Sequence, residues 1–499
     1  MKKNIVLLVN DHQAYYGHDA SYIRRPNFDR LARQGVSFDK VYCSTPLCAP
    51  SRRTMITGLH TCHHKQYKNN AQQYLHQTYL EALKDAGYDL FYYGKWHTGR
   101  GTPADFGAEG TFCEDYGSPY LLPRYQEYLH EQQLPFPRAL IEHNWCTPGW
   151  IDDIVEGEEK VLDRKTMNES ASGILVTPKQ THEAFFLAHE ACSKLRELKD
   201  SDRPFCLQIE FWGPHQPYFP TREYADMYPP EQIPEYPSFR DDLKMKPDIY
   251  RFEAAKGISR DYRILQDNPA PWSRYAETLS RCYAQITMTD EAGGQVLDTL
   301  EELGMMEDTM VIWTTDHGDA IGSHGGHFDK DAYMAEEVLR IPFAMRLDGV
   351  IPPGSQGTQL ISNIDLAPTL LAAAGTQFCE KVDGKNILEL FTNRNTPWRE
   401  YLFAETYGHH IPHRAYAWSD RRYKYVRNIN QIEELYDLEK DPYEITNLVF
   451  DPDSLPVLNR MRRSLDDFLL EYDVKEGVDS QCAGRMFYTY AQTSSATML

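Results

Sequence analysis

The chain has 499 residues, 41% hydrophobic and 12% aromatic, with 73 acidic against 52 basic side chains and a formal charge of −21. This length fits one large α/β unit with a smaller companion and the composition excludes disorder. The charge, with no Lys/Arg run, excludes nucleic acid as a partner, and no stretch of about 18 apolar residues predicts a membrane span.

The first predicted element is a buried strand, Asn4–Val9. Two lysines precede its apolar run, as in a signal peptide. The run is only Ile5–Val9, however, and it ends in Asn10-Asp11-His12 without a small-residue cleavage site. A cytoplasmic protein is therefore expected. The ten scattered cysteines contain no CxxC pair and read as free thiols of a reducing compartment.

A second strand, Asp89–Tyr93, follows the turn at Gly87-Tyr88. A helix is expected from about Thr181 to Leu198, then a strand, Phe205–Phe211. A further helix, Tyr283–Leu303, carries Ile286, Val296, Leu300 and Leu303 near helical spacing and stops at Gly304. The strand Met310–Thr315 follows it. This alternation predicts a largely parallel sheet flanked by helices. Thr102–Thr177 and Pro217–Ser273, rich in Pro, Tyr and charge and without periodicity, read as insertions into a catalytic unit of residues 1–375. Beyond Ala372-Ala373-Ala374-Gly375 four antiparallel strands are expected, Tyr401–Glu405, Arg414–Ser419, Tyr423–Arg427 and Glu434–Asp437. A closing helix, Leu455–Glu471, completes a smaller subdomain of residues 376–499.

Three strands end in chemically capable residues: Asn10-Asp11-His12, Gly94-Lys95-Trp96-His97 and Asp316-His317-Gly318. Ligands in open α/β sheets bind beyond the carboxyl ends of strands, so these segments are expected to converge. With so acidic a chain, a site for anions needs a metal and a few basic side chains to make it locally positive.

The motif of greatest weight is Cys48-Ala49-Pro50-Ser51-Arg52, continuing to Thr57-Gly58. Alone it also reads as a buried thiol beside a loop proline. Its surroundings are Arg25-Pro26-Asn27-Phe28-Asp29-Arg30-Leu31-Ala32 and Gly35-Val36-Ser37-Phe38. With these it resembles the type I sulfatases of the alkaline-phosphatase-like superfamily. The resemblance extends through Ile364-Asp365-Leu366-Ala367-Pro368 and Glu434-Leu435-Tyr436-Asp437, from about residue 4 to about 450.

It implies an α/β fold with a large, mostly parallel sheet sandwiched by helices and a smaller C-terminal antiparallel-sheet subdomain. It also implies that Cys48, in a loop, is oxidised by a formylglycine-generating maturation enzyme. The hydrated aldehyde offers two hydroxyls on one carbon. One attacks sulfur while bound to a metal that lowers its pKa, and deprotonation of the other then expels sulfate.

Asp11, Cys48, Asp316 and His317 match the family's metal-ligand positions. The resemblance implies one divalent ion, calcium first, with manganese or magnesium as alternatives. Two departures stand out. His12 replaces the second aspartate of the commonest pattern, and Asp-His replaces Asp-Asn at 316–317. Both soften the site and move it toward manganese; His12 is left outside the metal set. Arg52 and Lys95 would hold formylglycine and sulfate. His97 would assist elimination, and His215 and Lys330 would contact sulfate and help protonate the leaving oxygen. Asn70 resembles an active-site asparagine of the choline-sulfatase and phosphonate-hydrolase branches, although Asn-Asn is also an ordinary turn.

The expected activity is hydrolysis of a sulfate monoester, with a sulfated carbohydrate first and a simple aryl or alkyl sulfate second. Tyr218, Trp145, Trp150, His409 and His410 are candidates for contacting the substrate. The alternatives are a phosphonate or phosphate ester hydrolase and a silent anion-binding relative. The phosphonate branch tends to carry Tyr and Thr where this chain has Lys95 and His97. A silent relative is expected to lose its nucleophile or metal ligands.

Overall fold

A computed structural model describes residues 2–15, 23–114, 117–144, 154–162, 171–256, 259–260, 263–264, 269–327, 329–330, 333–393, 395–409 and 411–474. Trp145, Trp150 and His410 lie outside them.

The first strand is the axis of the molecule. Asn4–Asn10 pairs in parallel with Thr309–Thr315 on one side and Phe205–Glu210 on the other. Ile5–Val9 are completely buried, as a strand covered on both faces requires. Successive side chains enter opposite cores. Ile5, Leu7 and Val9 join Met310 and Ile312 in one, while Val6 and Leu8 join Val311 and Trp313 in the other.

The eight-stranded sheet runs in the order Ser355–Gly357, Val36–Phe38, Phe343–Arg346, Thr309–Thr315, Asn4–Asn10, Phe205–Glu210, Asp89–Lys95, Glu109–Cys113. Phe343–Arg346 alone runs against the rest. Four adjacent strands thus end on one edge, two of them at Glu210 and Lys95 and two just before Asp11 and Asp316. Gly94 is required here. Its φ is 101°, and a Cβ at that position would lie 2.0 Å from the Glu210 carbonyl oxygen.

Three sequence expectations are corrected. Cys48 is not in a loop but opens the helix Cys48–Thr57, every residue of which is buried. Pro50 falls within the first turn, where its missing N–H has no intrahelical partner to lose. The helix expected from Tyr283 begins at Trp272, after Pro271, and reaches Glu302; its added turns bury Tyr275, Leu279 and Cys282. The segment read as a first irregular insertion contains Glu109–Cys113, which pairs in parallel with Asp89–Lys95 at the sheet edge. It also contains much of a three-stranded sheet of Glu159–Val161, Arg138–Asn144 and Ala171–Leu175. Glu-Gly-Thr-Phe-Cys has no apolar alternation because an edge strand is only partly covered.

Leu402–Gly408, Pro412–Ser419, Tyr423–Asn428 and Glu434–Asp437 form a separate antiparallel meander. The helix Leu455–Glu471 covers it, joining Leu458, Met461 and Leu465 to Phe403, Tyr416 and Trp418. Buried polar contacts tie this sheet to residues outside it. Glu405 N–H donates to the Ser44 carbonyl (2.8 Å), and its carboxylate accepts from Cys62 N–H (2.8 Å). Buried Lys424 donates to the Met334 carbonyl and pairs with Glu336 and Glu444. Among the described residues no helix is long and apolar enough to cross a membrane.

Candidate active site

The helix Cys48–Thr57 projects its first residue to the carboxyl edge of the sheet. There Cys48 Sγ lies 3.2 Å from His317 Nε2. The other nitrogen of His317, Nδ1, donates to the Gly318 carbonyl (2.9 Å), so the lone pair of Nε2 is the one directed inward. One atom each of Asp11, Cys48, Asp316 and His317 falls within 4.8 Å of all the others, and all four residues are buried. Asp11 Oδ1 has no hydrogen-bond partner among the described residues although fully buried. Such an oxygen beside an imidazole and a second carboxylate is the donor set of a divalent ion. The four sequence-matched ligand positions are brought together.

The remaining carboxylate oxygens are held by cations. Lys95 Nζ pairs with Asp11 Oδ2. Arg52 is directed at three carboxylates, with Nε 2.9 Å from Asp316, Nη1 2.6 Å from Glu210 and Nη2 3.5 Å from Asp11. Its described partners are thus metal-ligand candidates and Glu210. Asp316 Oδ1 also accepts the backbone N–H of His12 (3.0 Å) and of His317 (2.9 Å). Burial opposes ionisation of Asp316, yet His317, Arg52 and Lys95 hold its carboxyl below the usual range. Burial and Asp316 likewise push the Asp11 carboxyl up, and Lys95 and Arg52 outweigh them. Burial raises the Cys48 thiol, with Lys330 and Lys95 acting in the opposite sense. An unmodified Cys48 is therefore a poor thiolate nucleophile.

His97 and His215 are both held well below the ordinary imidazole range, first by burial and then by nearby charges that include Lys95. Both are neutral at pH 7. His215 Nδ1 donates to the Gln216 carbonyl (2.6 Å). Lys330 Nζ lies 3.1 Å from Asp329 Oδ1, and its charge is felt by Cys48, His97 and His215 alike. Lys95, His97, His215 and Lys330 therefore share one buried enclosure.

Asn70 is placed differently. It is exposed, and its side-chain and backbone oxygens accept from Gln66 Nε2. The preceding residue reaches the site instead, since Asn69 Oδ1 accepts the Ala49 N–H (2.9 Å) next to Cys48. Tyr218 is completely buried beside Asp319. His409, from the end of the first strand of the C-terminal meander, lies 4.0 Å from Asp329. Sequence reasoning missed Glu210, Asp319, Asp329 and Asn69. Glu210 had one available signal, an acidic residue ending an apolar strand.

A second group of His324, Glu337 and Glu444 has ligand-like spacing. Its charge is already answered by the Lys424 ammonium at Glu444.

The sequence profile of the sulfatase family matches residues 3–376. The chain belongs to the sulfatase family. It is a sulfuric ester hydrolase. A second profile, that of the N-sulphoglucosamine sulphohydrolase C-terminal region, matches residues 322–470 of this sulfatase. An arylsulfatase of Clostridium perfringens is 26% identical over 475 residues, spanning 90% of each chain. An N-acetylglucosamine-6-O-sulfatase of Bacteroides thetaiotaomicron is 25% identical, over 89% of this chain and 82% of its own. In structure, a phosphonate monoester hydrolase from Silicibacter pomeroyi superimposes with a TM-score of 0.75. It is 20% identical and covers 94% of this chain and 96% of its own, a likeness of fold alone.

Proposed function

We propose that this sulfatase cleaves a sulfate monoester of an amino sugar, using formylglycine made from Cys48 by a maturation enzyme and one divalent ion. The observation that carries this reading is the buried cluster of Asp11, Cys48, Asp316 and His317, with Asp11 Oδ1 unpartnered inside it. The sugar rests on the N-sulphoglucosamine sulphohydrolase match at residues 322–470 and on the N-acetylglucosamine-6-O-sulfatase relative. Of calcium, manganese and magnesium, the imidazole of His317 favours manganese. The free cysteines fit a cytoplasmic, reducing setting.

Asp11, Asp316 and His317 would hold the ion beside position 48. Hydrated formylglycine would supply one hydroxyl to attack sulfur and a second to release sulfate, and the ion would supply the charge that keeps the first hydroxyl ionised. The chain's own groups do the rest. Lys95 and Lys330, both buried, bring positive charge to the ester oxygens. Neutral His97 is suited to accept a proton from position 48 as sulfate leaves. The Lys330 ammonium serves the leaving oxygen, and neutral His215, whose one proton is donated from Nδ1 to a carbonyl, leaves Nε2 as an acceptor. Arg52 keeps Asp11 and Asp316 ionised and in place.

The test is sulfate release by matured protein from sulfated amino sugars, sulfated neutral sugars and an aryl sulfate, with an aryl phosphonate alongside. Highest kcat/KM on an amino-sugar sulfate is expected. Preference for the phosphonate would overturn the assignment of Lys95 and His97, and preference for the simple aryl sulfate would overturn the sugar.

A further inference from the structure

His12 occupies the position at which the commonest family pattern has a second aspartate, yet its ring stands outside the four-residue cluster. It is fully buried and held from three directions. Nδ1 lies 3.0 Å from Gln216 Oε1 and 3.8 Å from Asp319 Oδ2, while Nε2 lies 3.2 Å from Asp329 Oδ1. Its ring centroid is 4.8 Å from those of both His215 and His317. A side chain packed between two histidines of the site, hydrogen-bonded at Nδ1 and facing a carboxylate oxygen at Nε2, is not loose filling.

Asp329 Oδ1 is the informative atom. Besides facing His12 Nε2 at 3.2 Å, it accepts the backbone N–H of Lys330 at 2.7 Å and lies 3.1 Å from Lys330 Nζ. One carboxylate oxygen therefore stands against His12 Nε2 and is hydrogen-bonded to both ends of Lys330. Asp329 reaches this place at a φ of 99°, a backbone region that a residue with a Cβ occupies only when its surroundings enforce it. A lysine is otherwise a flexible point charge on a four-carbon stem.

We propose that His12 is a positioning residue which, through Asp329, fixes the Lys330 ammonium at the leaving oxygen of the bound ester. The inference rests on the role of Lys330 given above. It assigns to this sulfatase a His12–Asp329–Lys330 chain at the place where a further metal-ligating carboxylate is common.

The test is a double-mutant cycle in matured enzyme, with kcat, KM and metal content measured for each variant. His12→Leu is expected to lower kcat about ten- to a hundredfold, the cost of misplacing a catalytic group, with KM and metal stoichiometry unchanged. The loss should be greater on an alkyl or sugar sulfate than on 4-nitrophenyl sulfate, whose leaving group needs little help. His12→Gln, able to donate an amide N–H to Asp329, should recover part of the rate. In a Lys330→Ala background His12→Leu should have no further effect.

A His12→Leu penalty that persists undiminished in Lys330→Ala would overturn the proposal. So would loss of metal from His12→Leu with activity restored by excess ion, since His12 would then be a ligand. If Lys330→Ala itself leaves kcat unchanged on every substrate, the role of Lys330 fails, and this inference fails with it for that separately visible reason. Should His12→Leu not fold, the same cycle is run with His12→Gln and Asp329→Asn.

Discussion

Glu183→Gln is expected to stabilise the protein at neutral pH. Glu183 opens the helix Glu183–Leu198 and is 1% exposed. One carboxylate oxygen accepts the Gly213 N–H at 3.1 Å, two residues before His215, and the other has no hydrogen-bond partner among the described residues. Burial pushes its carboxyl up from an ordinary value of 4.5 to about 8, with the backbone N–H groups of Trp212 and Gly213 only partly opposing this. For a folded-state value raised in this way, the contribution to stability is fully present below pH 4.5 and is lost as pH rises toward 8. At pH 7 the loss is roughly 3 kcal/mol, from about 1.4 kcal/mol per pH unit between the two values. Gln keeps the acceptor for Gly213 and cannot ionise. In chelator-treated protein, the stability of the variant relative to the parent, from urea denaturation at unit steps from pH 4 to pH 9, should start near zero. It should then grow by about 1.4 kcal/mol per unit and level off above pH 8. A difference that does not change with pH, or a variant less stable at pH 8, would refute the reasoning.

Four further outcomes are expected. Lys424→Met should destabilise by about 3–5 kcal/mol, because Glu336 and Glu444 would be left buried without their counter-ion; Glu444→Gln added to it should recover part of the loss in thermal denaturation. Asp316→Asn should lose bound metal and turnover together, measured by elemental analysis and sulfate release, and full metal content would show the ligand set to be wrong. Cys48→Ala should abolish turnover with only a small change in melting temperature, since Cys48 occupies the start of a helix whose turns remain. Cys48→Ser should be equally inactive in a host that matures only cysteine, with peptide mass spectrometry identifying the residue at position 48.

The parts of the site that were legible in the sequence are those where a residue type and a local pattern coincide. Cys48 is visible because Pro50, Ser51 and Arg52 stand in fixed register with it. Asp11 and Asp316-His317 are visible because each ends an apolar run, and strand ends in a parallel sheet are where ligands bind. Helix and strand boundaries followed the same logic, well at Leu455–Glu471 and poorly at Trp272, where a proline at 271 had been read as part of an irregular stretch. The edge strand Glu109–Cys113 was illegible because only partial covering is asked of it, and partial covering leaves no apolar period.

The amino-acid sequence by itself determined the family, and it supplied the proposed nucleophile position and the cations proposed to surround an anionic substrate. Tertiary structure decided which oxygen of which carboxylate each cation meets. Arg52 lies between Asp316, Glu210 and Asp11, Asn69 rather than Asn70 bonds to the residue after Cys48, and His12 Nε2 faces Asp329. These pairings join residues dozens to hundreds of positions apart, or turn on the direction of one side chain. Such distances are set by the order of strands in the sheet and by backbone angles such as the 99° φ of Asp329, and neither leaves a periodic or compositional trace along the chain.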